Sequence, residues 1–323
     1  MIFCSNYGVR RVISKYARNP FTHFIIDSSH EWELFDLDFL RFCPKIKVSW
    51  ITGAHIDKDF YDSRYFAYSF LLTSQQLTVK SFMNYWLETV VQNAEERKSL
   101  NFSFPYTSLL NRDHTHRRIF IDLLAKYNIL NKGFVTWNDP KLDVQDYQFQ
   151  YFDGKPIYQN GGKYKNQMIM PLEYSSSFFD VVTESTSHNF FVTEKTFKPL
   201  FFGKPFIVLG CKDYHKNLKK FFNIELYDEI IDYSFDNVKP LYERTDLFVK
   251  EVDKICKLNI NKSLNIIKEK LKYNQERCKE ISLNYKYNKS IWLKKEFNIS
   301  DKNCMMVHEH LYNVVPFDYL CFK

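Results

Sequence analysis

The chain has 323 residues, of which 45% are hydrophobic and 18% aromatic, so it can form a sizeable core and is not a disordered protein. Its length fits two domains or one large one. The net charge of +7 is a modest positive bias, which suits an anionic ligand but does not establish nucleic-acid binding.

The cysteine pattern and the absence of long apolar runs bear on the compartment. The seven cysteines are odd in number and widely spaced, and no two of them form a Cys-x-x-Cys pair, which predicts reduced thiols and no zinc site. The first twenty residues lack the apolar run of a signal peptide, and no stretch approaches 18 apolar residues. We therefore expect a cytoplasmic protein without a membrane partner.

Apolar periodicity predicts alternating strands and helices along the chain. The predicted strands are 21–27, 45–53, a section that begins at 106–113, 176–185, 205–210 and 227–236. The predicted helices are 81–100, 116–130, 194–202, 213–222 and much of 243–290. This order predicts an α/β fold with mostly parallel sheets, which bind ligands at the carboxyl ends of their strands.

The stretch 184–210, ESTSHNFFVTEKTFKPLFFGKPFIVLG, contains an acidic and a basic residue at the start of a predicted helix. Thr193 is a suitable N-cap, and Glu194 and Lys195 follow it. A lysine in the first turn opposes the helix dipole, which makes sense if an anion lies in front of it. The Glu194 carboxylate could accept hydrogen bonds from the hydroxyls of a ribose. The alternative is an ordinary surface pair at a capped helix.

Three motifs in order resemble a known family. The stretch 184–210 resembles the nucleotide-sugar motif of the α1,3-fucosyltransferases, and more closely that of phage and bacterial glycosyltransferase-like proteins with Thr-Glu-Lys-Thr-Phe-Lys-Pro. LLNRDHTHRR at 109–118 resembles their Leu-Asn-Arg and His-Arg signature, and DYSFD at 232–236 resembles their acidic turn. The resemblance covers roughly 105–245. It implies a GT-B fold, in which two Rossmann-like domains face each other across a cleft.

The resemblance also implies a set of donor-binding residues. Lys195 and Arg117 would contact the diphosphate, and Glu194 would contact the ribose. The other residues that fall within the matching motifs are Asn111, His116, Glu184, Ser185 and Thr193. This sequence has Ser185 where fucosyltransferases have Asn and Phe191 where they have Tyr. These two differences favour a sugar donor other than GDP-fucose.

The predicted domains divide the roles of a transferase. We expect residues 1–100 to bind the acceptor, 101–300 to bind the nucleotide sugar, and 301–323 to pack back on the body. Polar residues that follow the first two predicted strands are candidates for the general base. Glu31 is the first choice, followed by His55 and Asp27.

A metal site is not expected. Asp36 and Asp38 form an Asp-x-Asp pattern of the kind that can hold a divalent ion against a diphosphate. The apolar residues around them favour an ordinary packed segment. Arginine and lysine on the diphosphate would make a metal unnecessary, so we expect no cofactor beyond the nucleotide-sugar co-substrate.

The sequence thus predicts a glycosyltransferase that moves a sugar from a nucleotide-diphosphate sugar to a hydroxyl group. Two acceptors are open, namely a saccharide and DNA with hydroxymethylated bases. Basic segments with aromatics, such as 212–220, suit DNA but are also typical of a solvated face. The alternative function is a nucleotide- or nucleic-acid-binding module without turnover.

Overall fold

The computed structural model describes residues 2–5, 23–28, 47–52, 65–69, 102–110, 114–137, 172–283, 305–307 and 314–315. The contacts divide the chain into two compact units, one of residues 1–76 with 284–323 and one of residues 77–283. The sequence-based boundaries near residues 100 and 300 stay predictions. The predicted helix 81–100 lies outside the described residues.

The first unit contains a sheet with the strand order β10-β9-β1-β2-β3-β4. Its strands are β1 (Ile2–Ser5), β2 (His23–Ser28), β3 (Lys47–Thr52), β4 (Tyr65–Ser69), β9 (Met305–Val307) and β10 (Val314–Val315). The β1–β4 strands are parallel to one another, β9 is parallel to β1, and β10 is antiparallel to β9. The C-terminal strands therefore share a sheet with the N-terminal one.

The second unit contains a parallel sheet with the order β6-β5-β7-β8. Its strands are β5 (Phe104–Leu110), β6 (Phe134–Trp137), β7 (Ser177–Thr183) and β8 (Phe206–Leu209). Every residue of β7 is buried, and its sequence SFFDVVT is rich in aromatic and β-branched residues, as expected for a strand covered on both faces. The described part of the chain is therefore α/β, as predicted.

Helices follow the strands of the second unit. They are α1 (Thr115–Lys126), α2 (Leu172–Ser175), α3 (Glu194–Phe202), α4 (Tyr214–Phe222), α5 (Leu241–Ile255) and α6 (Ile260–Leu283). Phe120 of α1 packs edge-on against Phe248 of α5 at 5.8 Å. Gln275 of α6 donates to the Phe201 carbonyl of α3 at 2.8 Å. Thus α5 covers α1 and α6 covers α3.

The predicted strand 227–236 is wrong. The segment forms turns and a short 3-10 helix at Tyr233–Asn237. Tyr227, Ile231 and Phe235 are buried at intervals of four residues, which suits successive turns rather than a strand. The side chain of Asp232 caps the 3-10 helix by accepting from Ser234 N at 2.9 Å.

Candidate functional site

Those candidate residues of the second unit that the structure describes lie at the carboxyl end of its sheet. α1 follows β5 and leads to β6, whereas α3 follows β7 and leads to β8 on the other side. The direction in which successive strands are added to the sheet therefore reverses between β5 and β7, although all four strands are parallel. Such a switch point opens a crevice outside the strand ends, and open α/β sheets bind their ligands there.

Glu184 is fully buried directly after β7, and its carboxylate accepts five hydrogen bonds. Oε1 accepts from Thr193 N at 3.0 Å, from Thr196 Oγ1 at 2.6 Å and from the Tyr214 hydroxyl at 3.1 Å. Oε2 accepts from Thr193 Oγ1 at 2.7 Å and from Ser185 N at 3.0 Å. Because a carboxylate offers about four lone-pair sites, these donors saturate it. Glu184 therefore holds together the 184–193 loop, α3 and α4.

Thr193 links the Glu184 carboxylate to the first turn of α3. Its Oγ1 accepts from Lys195 N at 3.3 Å, as the sequence predicts for an N-cap. The Lys195 ammonium is half-buried and donates to Ser185 Oγ at 3.3 Å and to Thr193 Oγ1 at 3.4 Å. Glu194 is the first residue of the helix. Lys195 and Ser185 therefore meet where the loop and the helix N-terminus come together.

Arg117 and His116, in the first turn of α1, attach that helix to the end of β7. Arg117 is 2% exposed, and it donates to Thr183 Oγ1 at 3.1 Å and to the carbonyls of Thr183 and Glu184 at 3.2 and 3.1 Å. His116 is 4% exposed, and its Nε2 lies 2.8 Å from the Glu184 carbonyl oxygen. A direct contact between Arg117 and a diphosphate stays a prediction. Its observed contacts fix the strand end beside the candidate crevice.

His116 is neutral at physiological pH. Burial first, and then the charge of Arg117, lower the pKa of its imidazole to about 3. The bond to a carbonyl oxygen requires that Nε2 carries the proton. The ring of His114 stacks on it, with centroids 5.7 Å apart and an interplanar angle of 13°.

A buried His–Asp pair that the sequence analysis did not single out supports the neighbouring strand. Asp236 accepts from His215 Nδ1 at 2.8 Å and from His215 N at 2.9 Å. His215 Nε2 accepts from Val208 N at 3.0 Å. The pair thus fastens α4 to β8. The acidic turn at 232–236 was the available signal, because it contains Asp236.

Arg244 fastens the 184–193 loop to the start of α5. It is 3% exposed and donates to the carbonyls of Val238 at 2.7 Å, Lys239 at 3.1 Å and Ser187 at 3.2 Å. Within the described residues its Nε is buried without a hydrogen-bond acceptor. Buried donors of this kind are commonly met by an ordered water. The sequence offered no signal for Arg244, because Ser187 is 57 residues away.

Several predicted residues lie outside the described part of the chain. They are Asn111, Glu31, His55, Asp36 and Asp38. Asp27 lies in β2, where its backbone is in register with Ser5 and Ile51. The identity of the general base therefore stays a prediction.

Two properties can be stated only for the described ranges. They contain no group of three or more His, Cys, Asp or Glu residues that could hold a metal ion. None of the helices in these ranges has both the length and the apolarity needed to cross a membrane. The expectation of a metal-independent protein stays a prediction.

No protein-family model, no curated protein and no solved structure matches this chain. The candidate site is therefore defined by the geometry of the second unit and by the motifs at 109–118, 184–210 and 232–236.

Proposed function

We propose that the chain is a glycosyltransferase of the GT-B type that transfers a sugar from a nucleotide-diphosphate sugar to a hydroxyl acceptor. The second unit would bind the donor at the switch point between β5 and β7. The first unit would supply the acceptor side and the general base. Glu31 is the first candidate for that base, followed by His55 and Asp27.

The observation that carries the proposal is the way Glu184 organises the N-terminus of α3. Its carboxylate binds the backbone and hydroxyl of Thr193, which in turn caps the helix at Lys195. The first turn is thereby held at the carboxyl edge of a parallel sheet, where its partial positive charge favours an anion. An ordinary surface pair of Glu194 and Lys195 would not need the buried Glu184 carboxylate and its five hydrogen-bond donors beside it. A fully satisfied buried network of this kind rigidifies its surroundings, which suits a site whose geometry must be fixed.

The donor contacts follow from this placement. Lys195, whose ammonium lies beside Ser185, would bind the diphosphate, and Glu194 at the first helical position would bind the ribose hydroxyls. Arg117 contributes a permanent positive charge under the end of β7. Metal-independent transfer is expected because cationic side chains and a helix end meet the charge of the leaving nucleotide.

One feature of the second unit favours DNA as the acceptor. Lys216, Lys219 and Lys220 are exposed on α4, and Lys212 is exposed just before it. Ion pairs with Asp213 and Glu225, with N–O distances of 3.6–4.0 Å, offset part of this charge. A basic helix face is suited to phosphate contacts, whereas a neutral saccharide would not need it.

The proposal is tested by incubating the full-length protein with UDP-, GDP- and dTDP-sugars. Acceptor arms contain a glycan mixture, duplex DNA with hydroxymethylcytosine, and the same duplex unmodified. Release of nucleoside diphosphate together with labelled sugar in one acceptor would support a transferase. Binding of nucleotide sugars without release in any arm would instead support a binding module without turnover.

A further inference from the structure

A cavity of about 820 Å³ lies where the chain passes from α5 to α6. Three segments line it, namely the turns at 228–233, the end of α5 with the residues that follow it, and the first two turns of α6. Apolar side chains such as Ile231 and Ile266 share the lining with lysines and carboxylates. This size and this mixture are typical of pockets that bind small molecules.

The cavity and the candidate donor site lie at opposite ends of α5. Near the start of the helix, Arg244 donates at 3.2 Å to the Ser187 carbonyl, in the loop at the carboxyl edge of the sheet. Near its end, Asp253 lies 3.4 Å from the ammonium of Lys132, which precedes the start of β6 at the amino edge. Because an α-helix rises about 1.5 Å per residue, Lys254 of the cavity lies about 15 Å along the axis from Arg244. The cavity is therefore a separate site.

Carboxylates that line the cavity already have partners in the protein. Glu251 is 4% exposed, and its carboxylate accepts from a backbone N–H at 3.0 Å and from the Lys254 ammonium at 2.6 Å. Glu229 and Asp228 pair with the ammonium of Lys270, at N–O distances of 2.9 and 4.0 Å. These three carboxylates therefore do not require a cationic ligand.

Hydrogen-bond donors without acceptors lie at the start of α6. Asn259 Oδ1 caps the helix by accepting from Lys262 N at 3.0 Å, whereas no described residue accepts from the backbone N–H groups of Ile260 and Asn261. Ser263 is 4% exposed and lines the cavity, and within the described ranges its hydroxyl makes no hydrogen bond. Helical side chains tilt toward the helix N-terminus, so Ser263 lies over this first turn. The exposed Lys262 forms no ion pair with any residue that the structure describes.

We propose that this cavity binds a small phosphomonoester, whose phosphate group contacts the first turn of α6, Lys262 and Ser263. The N–H groups and the partial positive charge at the start of this 24-residue helix favour an anion. Lys262 adds a charge-assisted hydrogen bond, and the Ser263 hydroxyl adds a further donor. The remaining carboxylate of the lining, Asp232, caps the 3-10 helix. Since the cavity is larger than a phosphate group, the organic part of the ester has room beside Ile231 and Ile266.

The test is titration calorimetry of the full-length protein with inorganic phosphate and with glucose 6-phosphate at constant ionic strength. Both should bind saturably, and glucose 6-phosphate should bind more tightly because its sugar also contacts the cavity. Vesicles with phosphatidic acid present the same phosphomonoester from a lipid. They should not bind through this site, because the exposed carboxylates of Asp228, Glu229 and Asp232 at the cavity repel an anionic membrane surface.

The double variant Lys262→Gln with Ser263→Ala should bind glucose 6-phosphate about tenfold or more weakly, since it loses a charge-assisted hydrogen bond and a hydroxyl donor. The matched control Lys272→Gln, which removes an exposed cation from α6 outside the cavity lining, should bind as the wild type does. If the double variant does not fold, Lys262→Gln alone serves, because its side chain is exposed, and it should still weaken binding severalfold.

Three outcomes would overturn the inference. They are the absence of saturable binding of glucose 6-phosphate, equal affinity of the wild type and the cavity variants, and binding to the vesicles without binding of either soluble ligand. Loss of phosphate binding in Lys195→Ala, with binding kept in the cavity variants, would assign the phosphate to α3 and would also contradict the inference. The proposed sugar transfer is decided separately, by the nucleotide-sugar experiments.

Discussion

Thr193 donates through its hydroxyl to Glu184 Oε2 at 2.7 Å and through its backbone N–H to Glu184 Oε1 at 3.0 Å. This two-point contact joins the end of β7 to the N-cap of α3, which lies nine residues further along the chain. Burial and the Glu184 carboxylate both raise the pKa of Tyr214, so its hydroxyl keeps the proton that it donates to the same carboxylate. The geometry of the candidate site therefore depends on one buried acceptor.

Replacing Glu184 with Gln should destabilise the second unit. The amide would turn an NH₂ group toward donors that now meet an oxygen, and at least one buried donor would lose its acceptor. An unsatisfied buried group costs about 1–3 kcal/mol, so the free energy of unfolding should fall by at least this amount in urea titrations. Glu276→Gln, an exposed change on α6, is the control. Equal stability of the two variants would mean that Glu184 does not organise the loop.

The neutral, buried His116 predicts a pH dependence of stability. The pKa of its imidazole is lowered from 6.5 to about 3, chiefly by burial, so the unfolded chain binds the proton more readily. The stabilisation is fully present above pH 6.5 and is lost as the pH falls toward 3, by up to about 1.4 kcal/mol per pH unit.

His116→Gln tests this dependence, because the amide can still donate to the Glu184 carbonyl but does not titrate. The difference in unfolding free energy between the wild type and this variant should shrink steadily as the pH is lowered from 6.5. Lys272→Gln should give a curve parallel to that of the wild type. A constant difference between the wild type and His116→Gln would show that the histidine is not held neutral by the fold.

Metal removal should leave sugar transfer intact. The proposed site meets the diphosphate with side chains and a helix end, so activity in EDTA should equal activity with added Mg²⁺ or Mn²⁺. The measurement is the transfer rate after extensive dialysis against chelator. Complete loss of transfer activity that Mn²⁺ restores would instead indicate a metal-dependent enzyme, with Asp36 and Asp38 as the candidate metal ligands.

The salt dependence of binding distinguishes the two acceptors. If DNA contacts about five phosphates, the logarithm of its binding constant should fall with the logarithm of salt concentration at a slope of about −4 to −5. A neutral saccharide releases no counterions and should show almost no slope. Removing Lys216 and Lys219 together from α4 should make the DNA slope less steep by about 2. An unchanged slope would mean that α4 does not contact DNA.

The sequence predicted best those elements whose signals are local. The helix at 194–202 was found with its bounds, because an N-cap at Thr193 and the left-handed Gly203 (φ 62°) mark its ends. The helix at 116–130 ends earlier, at Lys126, since Asn128 adopts a left-handed conformation (φ 56°) and a 3-10 turn follows.

The roles within the site could not be predicted, because they depend on contacts between distant segments. The sequence places Glu184 in a donor-binding motif, but its saturation by Thr196 and Tyr214 becomes visible only when α3 and α4 are packed. Likewise, a basic residue such as Arg117 indicates anion binding, whereas its burial beneath β7 is a property of the fold.

The most direct test of the central claim compares nucleotide-sugar binding in the wild type, in Lys195→Ala and in Lys216→Ala. Lys195 lies at the capped start of α3, whereas Lys216 is an exposed lysine of α4. A hydrogen bond to a charged group contributes about 1.5–3 kcal/mol, so Lys195→Ala should weaken calorimetric binding about tenfold or more. Lys216→Ala should bind as the wild type does. Equal affinity of the wild type and Lys195→Ala would contradict a donor site at the N-terminus of α3.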